Sequence, residues 1–215
     1  MDDATAWYAP VARAVPALAL AAVITFTPDH SATLGLITFA IFAVVAGAVL
    51  TVSALRSTGA VRTIGLVQGV ATIAAGIAAM ALPNGGLPYF VFLLTAFAAI
   101  TGFLELYLGL RSRGRDRSSR DWVFVGALTA VLAIVVLLVP PGFAQAFTGP
   151  DGVERELTAS VIVVGALGAY WAILGVYLVI AGLSLKWSVA PVLNQPVLNQ
   201  PVVDQPVVDP MTGKA

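Results

Sequence analysis

Six long stretches of this chain lack the polar stripe that a helix on a soluble protein carries: Tyr8–Thr27, Thr33–Leu55, Thr63–Leu82, Tyr89–Leu110, Trp122–Val139 and Val161–Leu185. About 20 such residues cover the roughly 30 Å hydrocarbon core of a bilayer. Hydrocarbon offers no partner to backbone N–H and C=O groups, so each run must satisfy them internally, as a helix does. The predicted fold class is an all-α membrane protein with six transmembrane helices. Hydrophobic residues fill 59% of the 215 positions and charged residues only 10%. That is too little charge to cover a soluble domain of this length.

The few charges are sorted by side. Arg56 and Arg62 flank the gap between the second and third runs, Arg111, Arg113, Arg115, Arg117 and Arg120 fill the next gap of the same parity, and Lys186 closes the sixth run. The alternate gaps carry Asp29, Asp151, Glu154 and Glu156 with one cation, Arg155. By the positive-inside rule both termini are expected in the cytoplasm, with Trp7, Trp122 and Trp187 as interfacial aromatics. The acidic start, Met-Asp-Asp, argues against a cleaved signal peptide. Arginine outnumbers lysine and alanine is abundant, which points to a GC-rich bacterial genome. A net charge of zero implies no nucleic-acid partner. With no cysteine, disulfides, thiolate metal sites and thiol catalysis are excluded.

An internal repeat organises the runs. FAVVAGAVLTVSALRS from Phe42 aligns without gaps on FAAITGFLELYLGLRS from Phe97, an offset of 55 residues that also carries Pro28 onto Pro83. Gly69 precedes Pro83 by 14 residues, and Gly126 precedes Pro140 by the same 14. Gly175 and Gly182 stand where Gly102 and Gly109 do. The expected units are three tandem helical hairpins, residues 7–57, 62–112 and 119–187, related by rotation about the membrane normal. Their glycines serve close helix packing. The third hairpin has a longer outer loop, PPGFAQAFTGPDGVERE. Together the hairpins make a membrane domain over residues 1–188, followed by a Pro-rich tail over 189–215. The tail's repeated pentads, Pro191–Pro210, suit an extended or disordered cytoplasmic segment.

A Pro-ended odd span, AITGFLELYLGLRSR, an Arg-rich loop and DWVFVGALTAVLAIVVLLVPP together resemble the HdeD-like acid-resistance membrane proteins. The resemblance covers about Arg62 to Trp187, and Gly102, Glu105, Arg111 and Trp122 are its most distinctive residues. It implies a short two-helix repeat, a place in the inner membrane and a role in acid or envelope stress. It supplies no catalytic residue.

The candidate site residues are those that a membrane span should not hold. A carboxylate inside hydrocarbon costs roughly 2.5–3.5 kcal/mol on insertion scales, and Glu105 is such a group. It precedes Arg111 by six residues, about 9 Å of helix at 1.5 Å per residue. Arg13 follows Trp7, and Gln68 follows Arg62, by the same spacing. The repeat also places Arg13 and Gln68 at one position, and Leu50 and Leu178 at that of Glu105. Arg13, Gln68 and Glu105 are therefore expected to form a buried polar cluster, either a clamp between hairpins or a proton-sensitive core or ion path. The alternative is that Arg13 snorkels independently to the headgroups.

His30, in the outer turn beside Asp29, is a candidate pH sensor. Arg111, Arg113, Arg115, Arg117 and Arg120 are candidate contacts for anionic lipid of the surrounding bilayer. No phosphate loop, catalytic triad or metal motif occurs, so neither an enzyme nor a cofactor is expected. The chain reads as a non-enzymatic stress protein, with two alternatives. One is an accessory subunit docked to a protein partner or larger complex through Pro191–Pro210. The other is a small transporter or channel. Homo-oligomerisation is open to all three.

Overall fold

The computed structural model describes residues 7–188 except 151 and 153. The expectations for the tail over 189–215 lie outside the described residues. Six helices long and apolar enough to span a membrane are present. In chain order the elements are α1 (Tyr8–Phe26), α2 (Ala32–Leu55), α3 (Gly59–Ala81), α4 (Gly86–Arg111), α5 (Ser119–Leu138), β1 (Ala144–Thr148), β2 (Glu154–Thr158) and α6 (Ala159–Ser188). The protein is a multi-pass integral membrane protein.

One cause ends all three odd helices. Thr27, Leu82 and Val139 each precede a proline, whose ring disfavours helical backbone in the residue before it. Thr27 and Val139 have ψ of 130° and 115°, and Leu82 has ψ of 65°. Each following even helix starts after a short turn, except in the third hairpin. At α2 the side chain of Ser31 caps the helix by accepting from Leu34 N at 3.2 Å, while Asp29 Oδ1 accepts from Ser31 N at 2.8 Å. Ser31 is a residue type suited to this work.

Three helices start three or four residues before their apolar runs. α3 begins at Gly59 rather than Thr63, α4 at Gly86 rather than Tyr89, and α5 at Ser119 rather than Trp122. An apolar run measures hydrocarbon thickness, whereas a helix continues into the polar interface where water satisfies its first N–H groups. Gly59 and Gly86 take φ of +60° and +76°, which lets the chain turn directly into α3 and α4. The long outer loop of the third hairpin carries a strand pair: β1 and β2 pair antiparallel, from Ala144–Thr158 to Thr148–Glu154.

The most extensive packing does not lie within the hairpins. It joins the even helix of one to the odd helix of the next, α2 with α3 and α4 with α5, and closes the ring through α6 with α1. Glycines set these seams in one register. A Cβ on Gly47 would lie 2.9 Å from Ile73 N, one on Gly102 would lie 2.9 Å from Ala130 N, and one on Gly175 would lie 3.3 Å from Leu18 N. Leu18 and Ile73 differ by the repeat offset, and Ala130 is their counterpart in α5. Lipid is as apolar as a leucine side chain, so close backbone approach, rather than escape from water, holds such helices together. Bulk then fills the middle: Phe39 meets Phe97 edge-on at 5.0 Å, and Phe42 tilts against Trp171 at 5.1 Å.

The loops at 56–58 and 112–118, with the start of α1 and the end of α6, form what we call the arginine end. The turns after Thr27, Leu82 and Val139 form the proline end.

Candidate functional site

Glu105 is carried by α4, inside the arginine end, and faces Arg13 of α1. Arg13 Nη1 donates to Glu105 Oε1 at 3.0 Å, with the two side chains 12% and 3% exposed. This ion pair ties the first hairpin to the second. In a medium that hydrates charge poorly, each partner removes most of the reason for the other's burial cost. Compensation is incomplete on the cation side, because Arg13 Nε is buried without a hydrogen bond to the described residues.

The pair belongs to a layer with one residue from every helix. Arg13, Gln68 and Val125 occupy the equivalent position of α1, α3 and α5, while Leu50, Glu105 and Leu178 occupy that of α2, α4 and α6. All six line one cavity of about 150 Å³. Its walls toward the arginine end include Ser53, Ser57, Ser118, Asp121 and Trp122. Gln68 is buried, 3% exposed, and its side chain makes no hydrogen bond to the described residues. Gln68 therefore shares the cavity with Glu105 without bonding to it. Shared depth puts both on the wall of one cavity, but the hydrogen bond to Glu105 comes from Arg13.

Two helical turns deeper, Phe42, Phe97 and Tyr170 occupy another set of equivalent positions, all buried. The Tyr170 hydroxyl shares a 2.9 Å hydrogen bond with Thr129 Oγ1. Beyond them Phe39, Leu94 and Leu167 continue the fill. The cavity is thus lined from this layer toward the arginine end, and buried aromatic rings fill the bundle two turns beyond it. Chemically it can admit water to the ion pair, but among the described residues it offers no nucleophile held beside a base.

The other candidates stand apart. His30 lies at the proline end, with Nδ1 3.3 Å from Pro28 O and its own carbonyl accepting from Ser160 Oγ at 2.9 Å. All five loop arginines are exposed. Arg111 Nη1 donates to Tyr107 OH at 3.2 Å. Asp121, which was read only as part of a motif, accepts from Tyr177 OH at 2.7 Å on the cavity wall. Tyr170 also escaped notice, although the repeat offset already set it against Phe42 and Phe97 as the one ring with a polar tip.

Compared with known proteins, residues 67–139 match the family described as a short repeat of unknown function (DUF308). The matched segment runs from within α3 to the residue after α5. No curated protein and no solved structure matches the chain.

Proposed function

We propose that this multi-pass protein, whose residues 67–139 carry the short repeat of the HdeD-like membrane proteins, is a non-enzymatic component of the acid or envelope stress response. In this reading it resides in a bacterial cytoplasmic membrane, with the arginine end in the cytoplasm and Arg13–Glu105 as its proton-responsive element.

One observation carries the reading: a buried ion pair between α1 and α4 lines a cavity whose other walls come from the arginine end. While Glu105 is ionised it holds Arg13, and α1 with it, against α4. A neutral side chain at this position loses that hold and leaves Arg13 as a buried cation without a partner. The groups that face the pair from the other helices are Leu50 and Ser53 of α2, Gln68 of α3, Asp121 of α5, and Leu178 and Tyr170 of α6. Asp121 is the second carboxylate of the cavity. The channel alternative gains nothing from an axis filled by Phe42, Phe97 and Tyr170, and the accessory-subunit alternative depends on the tail.

Cells lacking the gene should survive acid challenge less well and regain survival with the wild-type chain. Glu105→Gln, which fixes a neutral side chain at this position, should fail to restore survival at equal membrane abundance. Full rescue by Glu105→Gln, or no acid phenotype on deletion, would sink the proposal. Orientation is tested separately, because the chain has no cysteine of its own. Single cysteines at Asp29 or Gly85 should react with an impermeant reagent added to intact cells, and one at Arg115 should not. The reverse pattern would invert the topology.

A further inference from the structure

Five arginines crowd one loop, yet only two of them stand over a cleft. Between α5 and α6 at the arginine end lies a space of about 300 Å³, with Arg117 and Arg120 at its rim. Tyr177, Ile180, Ser184 and Leu185 form its wall. We infer that this cleft is a binding site for one anionic phospholipid, with the headgroup phosphate held by Arg117 and Arg120.

Three features favour this occupant. The first is unspent charge: both arginines are exposed and neither makes an ion pair or hydrogen bond to the described residues. Arg111, by contrast, is engaged with Tyr107. Guanidinium groups bind phosphate in a fork geometry, and basic pockets between spans at the membrane surface suit anionic headgroups. The second is the disposal of the nearby acid. Asp121 also lines the cleft, but it accepts from Tyr177 OH at 2.7 Å and pairs with neither arginine. Its charge still opposes an anion, so one arginine would be too few and two leave the rim net positive.

The third is dimension and polarity along the cleft. From Leu185 down to Tyr177 is roughly 12 Å of helix at 1.5 Å per residue. Over that depth the wall passes from arginine and Ser184 to Ile180, and then to the Tyr177 ring, which stacks on Phe124 at 3.9 Å. A phosphate, a glycerol backbone and the upper part of an acyl chain follow the same order from interface to hydrocarbon. The cleft also shares Asp121, Ala181 and Leu185 with the axial cavity, so a bound lipid would lie against the wall of that cavity.

The test uses the full-length protein in detergent, titrated with phosphatidylglycerol or phosphatidylcholine and read by native mass spectrometry. Retention of phosphatidylglycerol over phosphatidylcholine is expected. Arg117→Gln/Arg120→Gln should weaken it about tenfold or more, whereas Arg113→Gln/Arg115→Gln, which removes the same charge, should leave it within about twofold. Ile180→Trp, which fills the cleft without touching charge, should also displace the lipid. Each variant is compared at equal thermal stability, and Ile180→Trp decides the matter if an arginine pair proves unstable. Equal losses from the two arginine pairs would mean diffuse attraction and overturn the site. Equal retention of phosphatidylcholine, or displacement by inorganic phosphate at concentrations matching the lipid, would overturn the lipid assignment.

Discussion

Arg13→Val and Glu105→Leu should each destabilise the bundle by about 3–5 kcal/mol, and the two together should cost much less than their sum. Either single change leaves a buried charge with no partner, whereas the double change removes both charges. The replacements are taken from the protein itself, because Val125 and Leu178 already hold these two positions in the third hairpin. The layer that results is one that a third of the ring uses now. At about 2–4 °C per kcal/mol for a chain of this size, each single variant should lower the thermal midpoint by roughly 6–20 °C. The double variant should recover most of that. Strictly additive losses would mean that the 3.0 Å contact contributes no coupling, and the clamp between hairpins would have to be abandoned.

How far such a layer could be read in advance depends on what each residue type constrains. The six spans and their proline-terminated ends follow from chemistry local to each segment: hydrocarbon thickness, and the steric rule that acts on Thr27, Leu82 and Val139. The depth of Arg13, Gln68 and Glu105 follows from counting along helices in a shared repeat. Depth is a coordinate along the axis, and it says nothing about azimuth or distance across the bundle. That is why Gln68, at the right level, bonds to neither charge. The cavity was illegible for a related reason, since a void is set by helix tilt and by what neighbouring side chains fail to fill.

Two other features were readable but passed over. Gly-Pro-Asp-Gly at 149–152 is a turn signal between two short segments, and β1 and β2 pair on either side of it. Hydrophobic bias across the chain drew attention away from it. The seams between hairpins were implied by glycines at equivalent positions. A glycine announces close approach without naming its partner, so which helix each one meets was left open.

The second large effect tests those seams directly. A Cβ on Gly126 would lie 2.5 Å from Leu106 N and 2.9 Å from Gly102 O, both backbone atoms that cannot rotate away. Gly126→Ala must therefore push α5 off α4, an overpacking cost of about 1–3 kcal/mol, and Gly126→Leu should abolish the folded protein. Gly165→Ala is the same chemical change in α6, where an added Cβ meets nothing within 4 Å. There alanine's better helix propensity should make the change neutral or stabilising by up to about 1 kcal/mol. The two alanine variants should differ by roughly 1–4 kcal/mol in unfolding measured in detergent or in lipid discs. Equal stability would mean that the α4–α5 seam is looser than these distances imply.

The closure of the ring through α6 and α1 also bears on the order in which the protein can be made. Arg13 and Glu105 lie 92 residues apart, so a ribosome adding roughly 5–20 residues per second inserts α1 about 5–20 s before its carboxylate partner exists. During that interval Arg13 has a long side chain and a nearby interface, and it can keep its charge hydrated by reaching back toward the headgroups. Glu105 arrives on a shorter side chain and finds a cation already in the membrane. The seam between α1 and α6 waits longer still, until the last span has left the insertion machinery. The first helix is therefore both the earliest to enter the bilayer and among the last to be fully enclosed. Truncated chains released before α6 would expose the flank of α1 that the finished ring covers, a surface that membrane quality control could use to recognise incomplete products.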